Sequence, residues 1–284
     1  MTNVALLELL VSLSIQAGLI VAVTALVVRI GGRHVRGDLL WFYGHSAIIA
    51  IVLAAFTLPH LRLLVASPDL LDRLSHLMPS HSLSTRIVTI WFAGALYSLV
   101  KLVVGTTWLC VAIRRSVAAP DAIYRRLDQP TIGTKPIHVF VSGTFGGPFC
   151  WQIHRPTIAL PEFILDWPSD VIDSVIRHEK VHLQSGHPMH LFCQRMIECF
   201  FWFHPLIWFG SRSAIAQREF HCDAACIANH EDAVGYLRSL LRLAETSNRP
   251  NAGLVTAAAF CDHRHQSRHW WVTQVPRSPR AHSP

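Results

Sequence analysis

The run His178-Glu179-Lys180-Val181-His182 holds two histidines and a glutamate at a spacing that can grip a metal and activate water. Residues four apart share one helix face, so both imidazoles can reach a single ion. Glu179 then stands where a general base takes a proton from water, and the chemistry expected is Zn2+-dependent peptide-bond hydrolysis. Histidine is abundant here, 18 of 284 residues, yet such a run arises by chance only about 0.03 times in a chain of this composition. Its surroundings read as a helix. Asp166, Pro168, Ser169 and Asp170 supply start chemistry, and Gly186 with Pro188 supplies a stop. Val171, Val175, His178 and His182 form one stripe, which puts both histidines on the inward face, where a metal would satisfy them.

A catalytic zinc needs a third protein ligand and an open position for water. Glu219 and Asp223, again four apart, are the best downstream pair: Glu219 as ligand, Asp223 as a carboxylate orienting a histidine N–H. His221 and Cys222 are rival ligands off that face. An ordinary acidic pair, or an ion pair with Arg218, is the bland alternative.

The elements that must position these groups are largely membrane-like. The chain is 51% apolar and only 15% charged, against about 25% charged in soluble domains. Stretches near Val4–Val28, Leu39–Leu58 and Ile87–Ile113 are each long enough to span a bilayer. The first is expected to remain as an anchor rather than be cleaved as a signal peptide. Arg29, Arg33 and Arg36 crowd the first loop, and Arg114, Arg115, Arg125 and Arg126 follow the third span. The second loop, about Pro59–Arg86, carries more dilute charge. By the positive-inside bias the N-terminus lies outside and everything after the third span faces the cytoplasm. Topology accounts for much of the +7 net charge, and direct nucleic-acid binding is not expected. Lys101 and His45 fall inside spans; Lys101 is read as snorkelling rather than functional.

A fourth apolar stretch, Met189–Gly210, separates His182 from Glu219. One crossing there would put the two halves of the site on opposite sides of the membrane. Residues 183–218 are too few for two crossings of about 20 residues each plus a turn. Pro205 interrupts the stretch, so a broken helix pair is expected, packed on the zinc helix and dipping into the bilayer interface. Upstream, Ile137–Val141 and Pro156–Pro161 read as strands, and a small sheet there can align an extended substrate. The odd count of seven cysteines forms no disulfide framework, and the tail after Glu245 loses periodicity.

Pro148-Phe149, Arg155–Pro161, His178–His182, Phe203–Trp208 and Glu219–Asp223 occur in an order that resembles the BlaR/MecR-type membrane metallopeptidases, an antirepressor family that includes beta-lactam sensor-transducers. The resemblance covers residues 4 to 245. It implies a gluzincin-like core with His178, His182 and Glu219 as zinc ligands and Glu179 as base. The fold class expected is a membrane α-helical bundle plus a small α+β gluzincin-like zinc metalloprotease domain. Residues 1–115 form the three-span region, 116–247 the metallopeptidase domain and 248–284 a disordered tail. The resemblance also implies a multi-pass protein of the bacterial inner membrane, in contact with lipid, that cleaves a cytoplasmic transcriptional repressor or itself. The chain is expected to lack a C-terminal penicillin-binding sensor domain, as a shortened paralogue or as one that needs a partner sensor. It departs from the family pattern at His187, where an aspartate is expected, and at Gln152, where glycine is usual. Two competing readings stay open: a non-catalytic membrane scaffold with a structural metal site closed by His221 or Cys222, and a housekeeping protease of the HtpX or CAAX-processing type.

Overall fold

The computed structural model describes residues 3–57, 81–227, 236–238 and 241. The chain is mostly helical, with three helices long and apolar enough to cross a membrane, and a small sheet. Helices α1 (Asn3–Gly31), α2 (Gly37–Thr57) and α3 (His81–Arg115) cover the three expected spans. α1 buries Leu10, Leu13, Ala17 and Val21 at three- and four-residue spacing, the pattern of a helix with one packed face. On its other side Ile15, Leu19 and Val23 remain 58%, 64% and 51% exposed. Large aliphatic groups left that open are costly in water and ordinary in lipid. Lys101 is exposed on α3, its ammonium 5.6 Å from the Tyr97 ring centroid. His45 is buried beside Trp41. Most of the second loop and the tail lie outside the described residues.

After α3 come β1 (Val117–Ala118), the one-turn helix α4 (Asp121–Tyr124), and a two-strand ribbon of β2 (Thr131–Ile132) and β3 (Lys135–Pro136). The ribbon turns at Gly133, whose φ of +58° few side chains tolerate. The main sheet adds β4 (His138–Ser142), β5 (Phe149–Trp151) and β6 (Thr157–Pro161) in the order β1-β4-β6-β5. β4 and β6 cover the two strands expected from sequence and pair in parallel, Val139 against Ile158 and Val141 against Leu160. β5, antiparallel to β6, carries the Pro148-Phe149 segment to one side of the sheet, beside the zinc-motif helix.

That helix is α5 (Ser169–Gln184). It has an apolar face of Ile172, Val175, Ile176 and Leu183 packed on Ile158, Leu160 and Ile164 of the sheet layer. Pro168 precedes it, and its first turn is held by Arg126, which reaches Asp173 at 2.8 Å and the Ser169 carbonyl at 3.3 Å. Gly186 ends it with φ +68°, letting the chain reverse at once into α6 (His187–Phe200).

α6 and α7 (Pro205–Cys226) form the broken pair expected, split at Phe201–His204 with Pro205 in the first helical position. They pack along the three candidate spans as well as on the zinc-motif helix. α6 runs along α2, from a His190–Phe42 stack with centroids 4.0 Å apart to a Phe200–Phe56 edge contact at 6.4 Å. Phe42 and Phe56 are roughly 21 Å apart along a helix rising 1.5 Å per residue, so α6 follows most of the length of the candidate span α2. At its far end Trp91 of α3 donates to the Phe200 carbonyl at 3.1 Å, and Trp202 donates to the Trp91 carbonyl at 3.2 Å. α7 returns along α1, from His204 beside Ser14 to Gln217 beside Gly37. The physical reason is burial: Ile197, Phe201, Ile207 and Ala214 complete one core with Leu13, Ala17, Val21, Trp41 and Ile48. The polar residues that dilute this stretch pair with one another. Arg195 meets Glu198 at 2.6 Å, Glu198 accepts from Gln194 at 2.9 Å, and Gln194 accepts from Arg218 of α7 at 2.7 Å. The hairpin enters and leaves on the same side, which brings the two halves of the motif together.

Candidate metal centre

α5 turns the edge that carries His178 and His182 toward the C-terminal half of α7. Three metal-competent side chains meet there. His178 Nε2 lies 3.1 Å from His182 Nε2 and 3.6 Å from Glu219 Oε2, and His182 Nε2 lies 3.5 Å from Glu219 Oε1. Donors about 2.1 Å from one zinc at the tetrahedral angle stand roughly 3.4 Å apart. The residues present therefore fit a divalent metal held by two imidazoles and a carboxylate. Glu179, on the same helix turn, is 1% exposed.

Burial pushes the His178 pKa down, but hydrogen bonding to Cys226 and Glu219 and the charges of Glu219 and Glu179 outweigh it, raising it to about 10. Asp223 stands behind this ring, with Oδ1 3.4 Å from His178 Nδ1. The Tyr236 hydroxyl lies 3.3 Å from the same nitrogen and donates to Asp223. Burial and the neighbouring Asp223 push the Tyr236 pKa up, so the phenol stays a donor.

The rival ligands face away from the His178–His182–Glu219 group, and Cys222 instead joins His182 and His187 in a second metal-competent group. His221 Nε2 sits 3.2 Å from Ser185 Oγ and 3.2 Å from Arg36 Nη2, and is not among the converging donors. Cys222 is fully buried on the far side of His182, 3.5 Å from His187 Nδ1, and burial pushes its thiol up. His187 Nδ1 in turn lies 3.0 Å from His182 Nδ1, and its Nε2 lies 3.4 Å from Asp38 Oδ2. The described cysteines are free thiols.

Three of these neighbours escaped the sequence reading. Tyr236 had no local signal, since nothing in its spacing ties it to a motif. Asp38 read as an acidic residue in the first turn of a helix, its commonest place. Its position at the head of an apolar span was the one available hint. His187 stood out only as a departure from the family pattern.

Three helices long and apolar enough to cross a membrane, a small sheet and a helix with two metal-competent histidines facing a third acidic donor are the features that the fold and site bring together. The sequence model of the BlaR1 peptidase M56 family matches residues 65–268, and the chain belongs to that family. It is also similar to the Regulatory protein BlaR1 of Bacillus licheniformis, 24% identical over 123 residues, which is 43% of this chain and 20% of that protein. The matched segment thus spans about a fifth of that relative. Family membership implies a bound metal, and the converging donors are residues that can hold it.

Proposed function

We propose that this chain is an integral-membrane, zinc-dependent endopeptidase of antirepressor type with a gluzincin-like core. The observation that carries the reading is the convergence of His178, His182 and Glu219, whose ligand atoms lie within 4.8 Å of one another, beside the buried Glu179. His178, His182 and Glu219 would hold the zinc, which supplies Lewis-acid polarisation of a water and of the scissile carbonyl. Glu179 takes the proton from that water and passes it to the leaving amine. Asp223 holds the His178 ring through Nδ1, and Tyr236 in turn holds Asp223.

The catalytic unit in this reading is residues 116–247, set against a three-span region of residues 1–115. The site opens to the cytoplasm of a bacterium. Arg29 in the last turn of α1, Arg36 just before α2 and Arg114 and Arg115 in the last turn of α3 support that orientation, because all lie at one end of the bundle. The substrate is a cytoplasmic repressor or the chain itself, and a partner sensor carries the external signal. Replacing Glu179 by Gln in the full chain tests the chemistry. Zinc content should be retained while proteolysis in purified membranes, self-cleavage included, falls by about 10²- to 10⁴-fold. Undiminished turnover would remove the mechanism.

A further inference from the structure

A histidine that holds a metal through one ring nitrogen has a proton on the other, and a buried N–H needs an acceptor. If His182 uses Nε2, which faces His178 and Glu219, its Nδ1–H is the one to satisfy. The acceptor within reach is His187 Nδ1 at 3.0 Å, and both rings are buried. Accepting there fixes the tautomer of His187 with its proton on Nε2. That proton points to Asp38 Oδ2 at 3.4 Å, in a carboxylate only 2% exposed. The same oxygen also accepts from Arg36 Nη2 at 2.7 Å, a side chain half exposed and therefore a weak contributor. Each proton in the series therefore has one consistent place.

We infer that Asp38 and His187 are positioning residues that hold the His182 ring to the metal, and that they tie the metal's grip to the position of α2. The inference rests on the reading of His182 as a ligand. It gives α2 a direct part in the site. Asp38 lies in the first turn of that candidate span, and His187 is the first residue of the hairpin that runs along it. A shift of α2 against α6 would break the Asp38–His187 contact before it disturbed any ligand. A movement of the bundle could thus reach the metal through two side chains.

The test is zinc affinity of the full chain in detergent or nanodiscs, measured by competition with a chromophoric chelator. Asp38→Ala and His187→Ala should each weaken zinc by about 10- to 100-fold. Because they act in series, the double variant should bind no worse than His187→Ala alone. Asp38→Asn, which keeps an acceptor oxygen without the charge, should recover part of the loss. Arg36→Ala, which leaves the series intact, should stay within about threefold of the unaltered chain.

Additive losses in the double variant, or an Arg36→Ala loss equal to that of Asp38→Ala, would overturn the inference in favour of a purely structural ion pair. Two zinc ions per chain, falling to one in Cys222→Ser, would overturn it in favour of a second metal on His182, His187 and Cys222. Unaltered affinity in Asp38→Ala with one tightly held zinc would overturn the inference while leaving the proposed activity standing. Absence of zinc binding by the unaltered chain would overturn both.

Discussion

α5 and α7 each present side chains four residues apart to the same cluster, yet they are held in place by different means. α5 rests on the sheet through Ile172, Val175, Ile176 and Leu183. α7 begins deep among α1 and α2, with Ile207 and Ala214 in the bundle core, and brings Glu219 to the site only near its end. Half of the metal cluster is therefore built on a soluble-type αβ layer and half on the membrane bundle. The difference teaches that the site is a joint. Anything that moves the bundle relative to the sheet moves Glu219 relative to His178 and His182.

The largest expected effect tests whether the two halves contribute equally. His182→Ala on α5 and Glu219→Ala on α7 should each lower zinc affinity on the order of 10²- to 10³-fold, while His221→Ala should leave it nearly unchanged. Zinc loss in His221→Ala but not in Glu219→Ala would break the comparison, because α7 would then face the metal with another side.

A smaller effect tests the seating of the hairpin. A Cβ at Gly94 would run into the Trp202 indole, so Gly94→Leu must push that ring off α3 and cost about 1–3 kcal/mol. Thermal unfolding and zinc release should both move to lower temperature. Unchanged unfolding would mean that the tip of the hairpin is not what holds α7. The smallest effect sharpens the α5 side. Tyr236→Phe removes one donor to Asp223, worth about 0.5–1.5 kcal/mol, and should weaken zinc by up to about tenfold. A loss as large as that of a ligand would instead place Tyr236 in the metal cluster.

Much of this arrangement was legible because it is periodic. The three spans follow from length and apolarity, α5 from its stripe and its flanking Pro168 and Gly186, and β4 and β6 from alternating or apolar runs bounded by turn residues. The break at Pro205 also followed from sequence, since proline starts a helix readily and does not continue one. The packing of the hairpin did not. Arg195, Glu198 and Arg218 look like surface charges until it is known that they face one another across α6 and α7. The short strand β5 was missed because three residues carry too little pattern to separate a strand from a turn.

At the site the same division holds. By itself the sequence determined which atoms could bind a metal and which neighbours share a helix face, because four-residue spacing is a property of the helix alone. It also determined that Met189–Gly210 cannot cross once if the cluster exists. Only the tertiary structure decided that Glu219 rather than His221 faces His178 and His182, and that Cys222 lies on the other side of the His182 ring. It alone brought Asp38 to His187 and Tyr236 to Asp223. These are contacts between residues far apart in the chain, set by how a re-entrant pair of helices fills the space among α1, α2 and α3, and no local periodicity encodes that packing.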